Sequence, residues 1–294
     1  FIPLQGSLPE PLALRYHGHQ FGTYNPELGD GRGFLFAQYK DEQTGHLLDL
    51  GTKGSGRTPY ARGADGRLTL KGGVREVLAT ELLTALNVPT SQSFSLIETG
   101  EALERHDEPS PTRSSVLVRL LHGHIRIGSF QRLAYLGQAD NLEKLLRHTV
   151  RHYYPELDPD LAYEQLILSF LPQFAERVSD MVAGWMVAGF VHGVLNTDNF
   201  NITGESFDYG PWRFLPHFDP GFTAAYFDQT GRYAYGRQPS AAMWALCRLA
   251  DCFVPIVDSE VLAETLSSFY TSIERNVARR VCWRLGVEGT DDDA

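Results

Sequence analysis

His192-Gly193-Val194-Leu195-Asn196-Thr197-Asp198-Asn199, followed by Phe207-Asp208-Tyr209-Gly210, is the stretch on which the rest of the chain turns. A protein-kinase catalytic loop sets an Asn seven positions after its His and takes a second magnesium ligand from an Asp-Phe-Gly segment. Asn199 keeps that offset from His192, and Asp208-Tyr209-Gly210 stands where Asp-Phe-Gly would. Carboxylate and amide oxygens so placed suit a hard cation that bridges phosphates, Mg2+ or in its place Mn2+. Short motifs also arise by chance, so the flanking sequence has to carry part of the weight.

The kinase general base belongs two positions after the His, and that position holds Val194, which can neither accept a proton nor orient a hydroxyl. Asn196 and Asp198 stand nearby. Asp198 is either a displaced base beside a metal ligand or an Asp that caps its own loop.

Upstream, Lys53 lies at the end of a predicted strand and Glu76 in the early turns of the helix that follows. A kinase uses such a lysine to grip phosphates and such a glutamate to orient it, although two unrelated surface charges would read the same way. Gly29-Asp30-Gly31-Arg32-Gly33 precedes the first strand of the predicted hairpin. Glycines there either let backbone amides approach phosphate oxygens or serve a tight turn with no ligand. Arg32, Arg57, Arg62, Arg67, Arg75, Arg119 and Arg126 crowd this half of the chain, and guanidinium forks match phosphate oxygens. Two His-Gly-His triplets, His17 to His19 and His122 to His124, lack acidic or cysteine partners at metal-ligand spacing and read as packing or hydrogen-bonding residues. Tyr209 and Phe214 read as packing residues too.

Around these motifs the pattern divides. Gly33 to Tyr39 and the apolar run after Asp41 to Gly45 predict a hairpin, and Ser93 to Glu98 and Ser115 to Leu121 predict further strands, with a charged, Pro-containing loop from Glu104 to Arg113 between them. Val74, Leu78, Leu82, Leu83 and Leu86 predict one helix. Beyond about residue 140 the spacing predicts helices over Leu142 to Tyr153, Leu161 to Phe170, Phe174 to Phe190, Ala241 to Phe253 and Glu260 to Arg284. The expected fold is α+β and bilobed, kinase-like, with a strand-rich N-lobe over 1–121 and a helical C-lobe over 122–294.

The 294 residues carry a formal net charge of -10, which argues against a broad nucleic-acid-binding surface. No apolar run reaches the roughly 18 residues that cross a bilayer, and no signal segment opens the chain, whose first residue is Phe1 rather than an initiator Met. Cys247, Cys252 and Cys282 form neither a CxxC pair nor a framework. A soluble protein of a reducing compartment is expected, cytoplasmic or alternatively mitochondrial. The acidic end, Glu288 to Ala294, reads as a solvated tail.

From about Tyr16 to Phe253 the chain resembles the selenoprotein O pseudokinases. The resemblance rests on Gly18-His19-Gln20-Phe21-Gly22, Gly29 to Gly33, Lys53-Gly54-Ser55-Gly56-Arg57-Thr58-Pro59-Tyr60, His192 to Phe200, Asp208-Tyr209-Gly210-Pro211, Asp219-Pro220-Gly221-Phe222 and Gly231-Arg232-Tyr233-Ala234, which occur in the family's order. It implies a protein adenylyltransferase that binds ATP in a flipped orientation and moves AMP to Ser, Thr or Tyr hydroxyls of proteins. By matching positions it implies nucleotide contacts at Gly29, Gly31, Arg32, Lys53, Asp65, Gly66, Arg119, Arg126 and Asp208, with Glu76 supporting Lys53. Asn199 and Asp208 would hold the metal and Asp198 would accept the proton. Where the family commonly has Ser-Ser before its Arg-Glu, this chain has Gly72-Gly73, and the redox motif that some members carry near the C-terminus has no counterpart here. A kinase with a displaced base and a non-catalytic ATP-binding scaffold are the competing readings.

Overall fold

The computed structural model describes residues 6–42 and 45–287, so the acidic end and residues 43 and 44 of the hairpin turn lie outside the described residues. A small antiparallel pair comes first, β1 (Gly18–Gln20) and β2 (Thr23–Asn25). The expected hairpin follows as β3 (Leu35–Lys40) and β4 (Leu47–Lys53), paired from Leu35↔Gly51 to Lys40↔Leu47. Next come β5 (Leu68–Thr69), α1 (Leu70–Ala85), β6 (Gln92–Leu103) and β7 (Thr112–Leu121).

β7 is the centre of one antiparallel sheet. β4 runs along one edge of it, with Lys53 opposite Leu117, and β5 continues that edge; β6 takes the other edge. Alternation along β7 buries Ser115, Leu117, Arg119 and Leu121 on one face, so a guanidinium sits in an apolar row.

Helix α1 begins four residues before Val74, capped by Thr69, whose hydroxyl accepts from Gly72 N at 3.1 Å. The Gly72-Gly73 pair therefore lies inside the helix and leaves its entry intact. The expected helix is present, and the face it buries is the one that carries its small residues. Val74, Leu78 and Leu82 are 42%, 49% and 42% exposed, whereas Gly73, Glu76, Ala79, Thr80 and Leu83 are buried. The reason is close approach: a Cβ on Gly73 would lie 2.4 Å from Leu96 Cδ1. Small residues let α1 settle on β6 and β7 and turn Glu76 inward.

The remainder is mostly helical: α2 (Ile127–Tyr135), α3 (Ala139–Tyr153), α4 (Tyr163–Ala188), the short pair β8 (Phe190–Val191) and β9 (Arg213–Phe214), then α5 (Gln238–Ala250), α6 (Ser259–Thr265) and α7 (Phe269–Leu285). Two expectations fail. The helices expected at 161–170 and 174–190 are the single α4, which carries Pro172 in its interior. The hydrogen bond that proline removes is offset by apolar burial around it, since Phe170, Leu171 and Phe174 are wholly buried. The helix expected at 260–284 is broken into α6 and α7, where Leu266 and Phe269 both turn into the core. That core is aromatic, centred on Trp185, Phe170, Phe174, Phe130, Phe190 and Phe253. Among the described residues no helix is long and apolar enough to cross a membrane, and all three cysteines are free.

Candidate active site

A cavity of about 1200 Å³ opens between the sheet, α1 and loops 29–34, 60–67 and 104–108 on one side and residues 194–211 on the other. Lys53 closes one end of it from the last residue of β4. Buried there, its ammonium is ion-paired with Glu76 of α1 and lies 3.1 Å from Asp208 Oδ1. The two charges read from the sequence as a strand lysine and a helix glutamate are thus one buried pair.

Asp208 gathers two more cations. Arg119, from the buried face of β7, is ion-paired with Oδ1, and Arg126 Nη1 donates to Oδ2 at 2.7 Å. Burial pushes the Asp208 carboxyl up, but Arg119, Lys53 and Arg126 outweigh it and hold the group well below the usual carboxylate range. Its backbone sits at φ 59°, a left-handed conformation an Asp seldom adopts, which aims the side chain at the cations. His192 steadies this segment: its buried ring donates from Nε2 to the Phe207 carbonyl at 2.9 Å, while Nδ1 has no partner among the described residues, the pattern of a neutral imidazole. Burial also lowers its pKa. Tyr209 packs edge-on against Phe190, as does Phe214.

Asn199 reaches the cavity from a 3-10 turn, Thr197–Asn199. Its amide nitrogen donates to Val194 O at 2.9 Å, which leaves the side-chain oxygen unspent. Asp198, beside it, is not among the cavity-lining residues. It is buried behind the wall, next to β1, where a Cβ on Gly18 would lie 3.2 Å from Oδ1, and that oxygen has no hydrogen-bond partner among the described residues. Burial raises the Asp198 carboxyl to about 6, against the pull of Arg126. It does not cap its loop: the N-cap is Asn196 and makes no side-chain capping bond.

β1 is sewn to this turn. His19 N donates to Thr197 Oγ1 at 2.8 Å, Thr197 Oγ1 donates to Gln131 Oε1 at 2.6 Å, and Gln131 Nε2 meets His19 Nδ1 at 2.8 Å. The other histidines of the two triplets are committed locally as well. His17 Nδ1 lies 2.7 Å from the Tyr24 hydroxyl, His124 Nδ1 lies 3.2 Å from Asp49 Oδ2, and His122 stacks on His46.

Gly29, Gly31, Asp65 and Gly66 line the same cavity. The glycines answer first to the chain's own packing. A Cβ on Gly29 would fall 2.6 Å from the Tyr60 ring, one on Gly31 3.1 Å from Tyr60 O, and one on Gly66, at φ +73°, 2.3 Å from Arg57 N. Of the two sequence readings of this loop, tight packing is what the glycines display. Asp65 accepts from Arg105 Nη1 at 2.7 Å and from Arg67 N at 2.9 Å.

Of the clustered arginines, Arg32 and Arg62 are exposed on the cavity wall and ion-paired to nothing among the described residues. Arg75 is held on the wall by Trp212 O at 2.8 Å. Arg67 pairs with Glu101, and Arg57 lies off the cavity. Sequence reasoning passed over Tyr16 and Asp30, which both line the cavity and touch Arg126. A signal was present for Asp30, an acid between two glycines of a loop read as phosphate-binding, where its charge would repel the ligand.

The cavity thus brings together fixed cations at one end, guanidiniums along the wall that pair with nothing among the described residues, and carboxylate and amide oxygens. Comparison with known proteins gives the family. The family model described as protein adenylyltransferase SelO matches residues 5–294. A protein nucleotidyltransferase YdiU of Synechocystis sp. is 52% identical over 96% of this chain and 59% of its own length. The protein of the same name from Trichormus variabilis is 55% identical over 94% of this chain and 56% of its own length. That from Marinomonas sp. is 39% identical over 97% and 59%. The chain belongs to the SelO family of protein adenylyltransferases, and it spans less than three fifths of the length of these relatives.

Proposed function

We propose that this chain is a protein adenylyltransferase that transfers AMP from ATP to Ser, Thr or Tyr hydroxyls of protein substrates and releases pyrophosphate. The observation that carries the reading is the cage of Lys53, Arg119 and Arg126 around Asp208 at one end of an arginine-lined cavity. The family membership and the relatives' names support it. A kinase-like, bilobed arrangement with lobes 1–121 and 122–294 belongs to the same reading, supported by the Lys53–Glu76 pair between β4 and α1 and by a cavity between the sheet and residues 194–211.

Asn199 and Asp208 would hold Mg2+, or Mn2+. They fit a hard cation, since the Asn199 side-chain oxygen is unspent and Asp208 stays ionised. Bound there, the cation supplies charge neutralisation on the phosphates. Arg119, Arg126, Lys53 and Arg32 bind phosphate oxygens, with Gly29, Gly31, Asp65 and Gly66 shaping the pocket. Val194 leaves the usual base position empty, and Asp198, which stands just behind the cavity wall next to Asn199, takes the hydroxyl proton on condition that nucleotide and substrate binding opens it to the cavity. The substrate oxygen then bonds to the α-phosphorus as the bond to pyrophosphate breaks. A pKa of about 6 leaves Asp198 ionised at neutral pH yet basic enough for that step. A cytoplasmic setting accords with the free thiols.

Intact-mass measurement of the chain and a generic protein substrate after incubation with Mg-ATP tests the proposal. A gain of about 329 Da marks AMP, and a gain of about 80 Da marks phosphate and a kinase with a displaced base. ATP binding with no gain in mass marks a scaffold.

A further inference from the structure

We infer that Asp30 is a positioning residue for this reaction: its carboxylate orients the Arg126 guanidinium by holding Nη2, and so sets the place where Arg126 meets the phosphate chain. The inference rests on the proposed function above.

Arg126 is 1% exposed and stands at the N-cap of α2. Its Cζ lies 4.5 Å from the Tyr16 ring centroid and 4.6 Å from that of Phe207, cation–π contacts that hold the group without choosing where its N–H groups point. Its hydrogen-bond partners make that choice. Nη1 donates to Asp208 Oδ2 at 2.7 Å and to Asp198 O at 3.0 Å; Nη2 donates to Asp30 Oδ1 at 3.1 Å; Nε has no partner.

Asp208 is the metal ligand of the proposed reaction, so its oxygens are to be shared with a cation when nucleotide is present. Asp30 has no such second duty, and it is itself anchored. Its other oxygen accepts from Leu14 N at 3.2 Å, its own N donates to Leu14 O at 2.8 Å, and its carbonyl accepts from Thr58 Oγ1 at 2.6 Å. A carboxylate inside a phosphate-facing loop, unfavourable by charge alone, is thereby accounted for. It neutralises nothing on the ligand and instead fixes a neighbouring cation of the cavity wall. It also ties the loop before β3 to the start of α2, which lie 96 residues apart in sequence.

The near-isosteric Asp30→Asn is the test, with Asp30→Ala as a second variant of the same direction. With 15N-labelled protein, the Arg126 Nη2 signal is expected to shift in Asp30→Asn, because that nitrogen loses its anionic acceptor. Calorimetric titration with Mg-ATP is expected to show binding about tenfold weaker, the size of a lost hydrogen bond between charged groups. The KM for ATP should rise with it while kcat changes little. In an Arg126→Ala background the Asp30 substitution should have no further effect, because its action passes through Arg126; a general structural role would add in full. Unchanged Arg126 signals together with unchanged ATP affinity, or full additivity with Arg126→Ala, would overturn the assignment. A wild-type chain that binds no Mg-ATP sinks the proposed function and this role with it. A wild type that binds while Asp30→Asn binds equally well sinks the role of Asp30 alone.

Discussion

Asp198 and Asp208 are ten positions apart, the first buried and the second partly open to the cavity, and their carboxyls move in opposite directions. The turn that carries Asp198 is packed against β1, leaving one oxygen unpartnered and the group near 6. The segment that carries Asp208 delivers it into three cations, which hold it ionised far below that. Burial alone makes a carboxyl a base near neutrality; burial with paired cations makes it a permanent anion. Two aspartates in one catalytic region thus acquire the two properties the proposed reaction needs, a proton acceptor and a metal ligand.

The comparison breaks most visibly at Asp208. Asp208→Ala should lower Mg-ATP binding and transfer by at least about a hundredfold, because the phosphates lose their bridging cation. It also leaves Lys53, Arg119 and Arg126 crowded around one carboxylate fewer, and urea unfolding should show a loss of about 3 kcal/mol. Transfer at normal rates in that variant would remove Asp208 from the site.

Asp198→Asn should act on the other property. Transfer is expected to fall about 10²- to 10⁴-fold with ATP affinity within about threefold; equal loss of both would count against a base. The wild-type kcat should rise with pH through about 6, and the variant should lack that limb. Stability should move the opposite way. Folding raises this carboxyl from 3.8 to about 6, so across that interval the native state keeps a proton that the unfolded chain has released. Wild-type stability therefore declines as pH climbs from about 4 to 6, and above that Asp198→Asn should be the more stable protein by up to about 3 kcal/mol, with no advantage below about pH 4.

The smallest expected effect sharpens the contrast. Gly18→Ala places a methyl group 3.2 Å from Asp198 Oδ1 and 3.1 Å from Thr197 Oγ1 without approaching Asp208. It should raise the midpoint of the acidic limb by a fraction of a unit and cost about 1 kcal/mol of stability. Titration with Mg-ATP should be unchanged; weaker binding would mean that the turn and the cation cage are not separable.

Sequence reading recovered the hairpin, the strands at 93–98 and 115–121 and the Lys53–Glu76 pair, because strand alternation and helix spacing are local signals. It recovered α1 as well, but not which face the helix buries, since Val74, Leu78 and Leu82 face outward and the small residues face in. Periodicity scores hydrophobicity, whereas Gly73 contributes closeness. It broke α4 at Pro172 because a proline's cost is visible in sequence and the burial that offsets it is not. In the site, the residues named from motif positions all reach the cavity except Asp198, which stands behind its wall.

What the sequence determined by itself is the spacing that sets Asn199 and Asp208 after His192, the absence of a base at Val194, and the chemistry of Lys53, Glu76 and the arginines, since these follow from residue identity and short offsets. Only the tertiary structure decided that three cations converge on Asp208, that Asp198 is buried behind Gly18, and that Asp30 holds Arg126. Each depends on contacts between residues far apart in the chain, and a carboxyl's charge state is a property of what surrounds it.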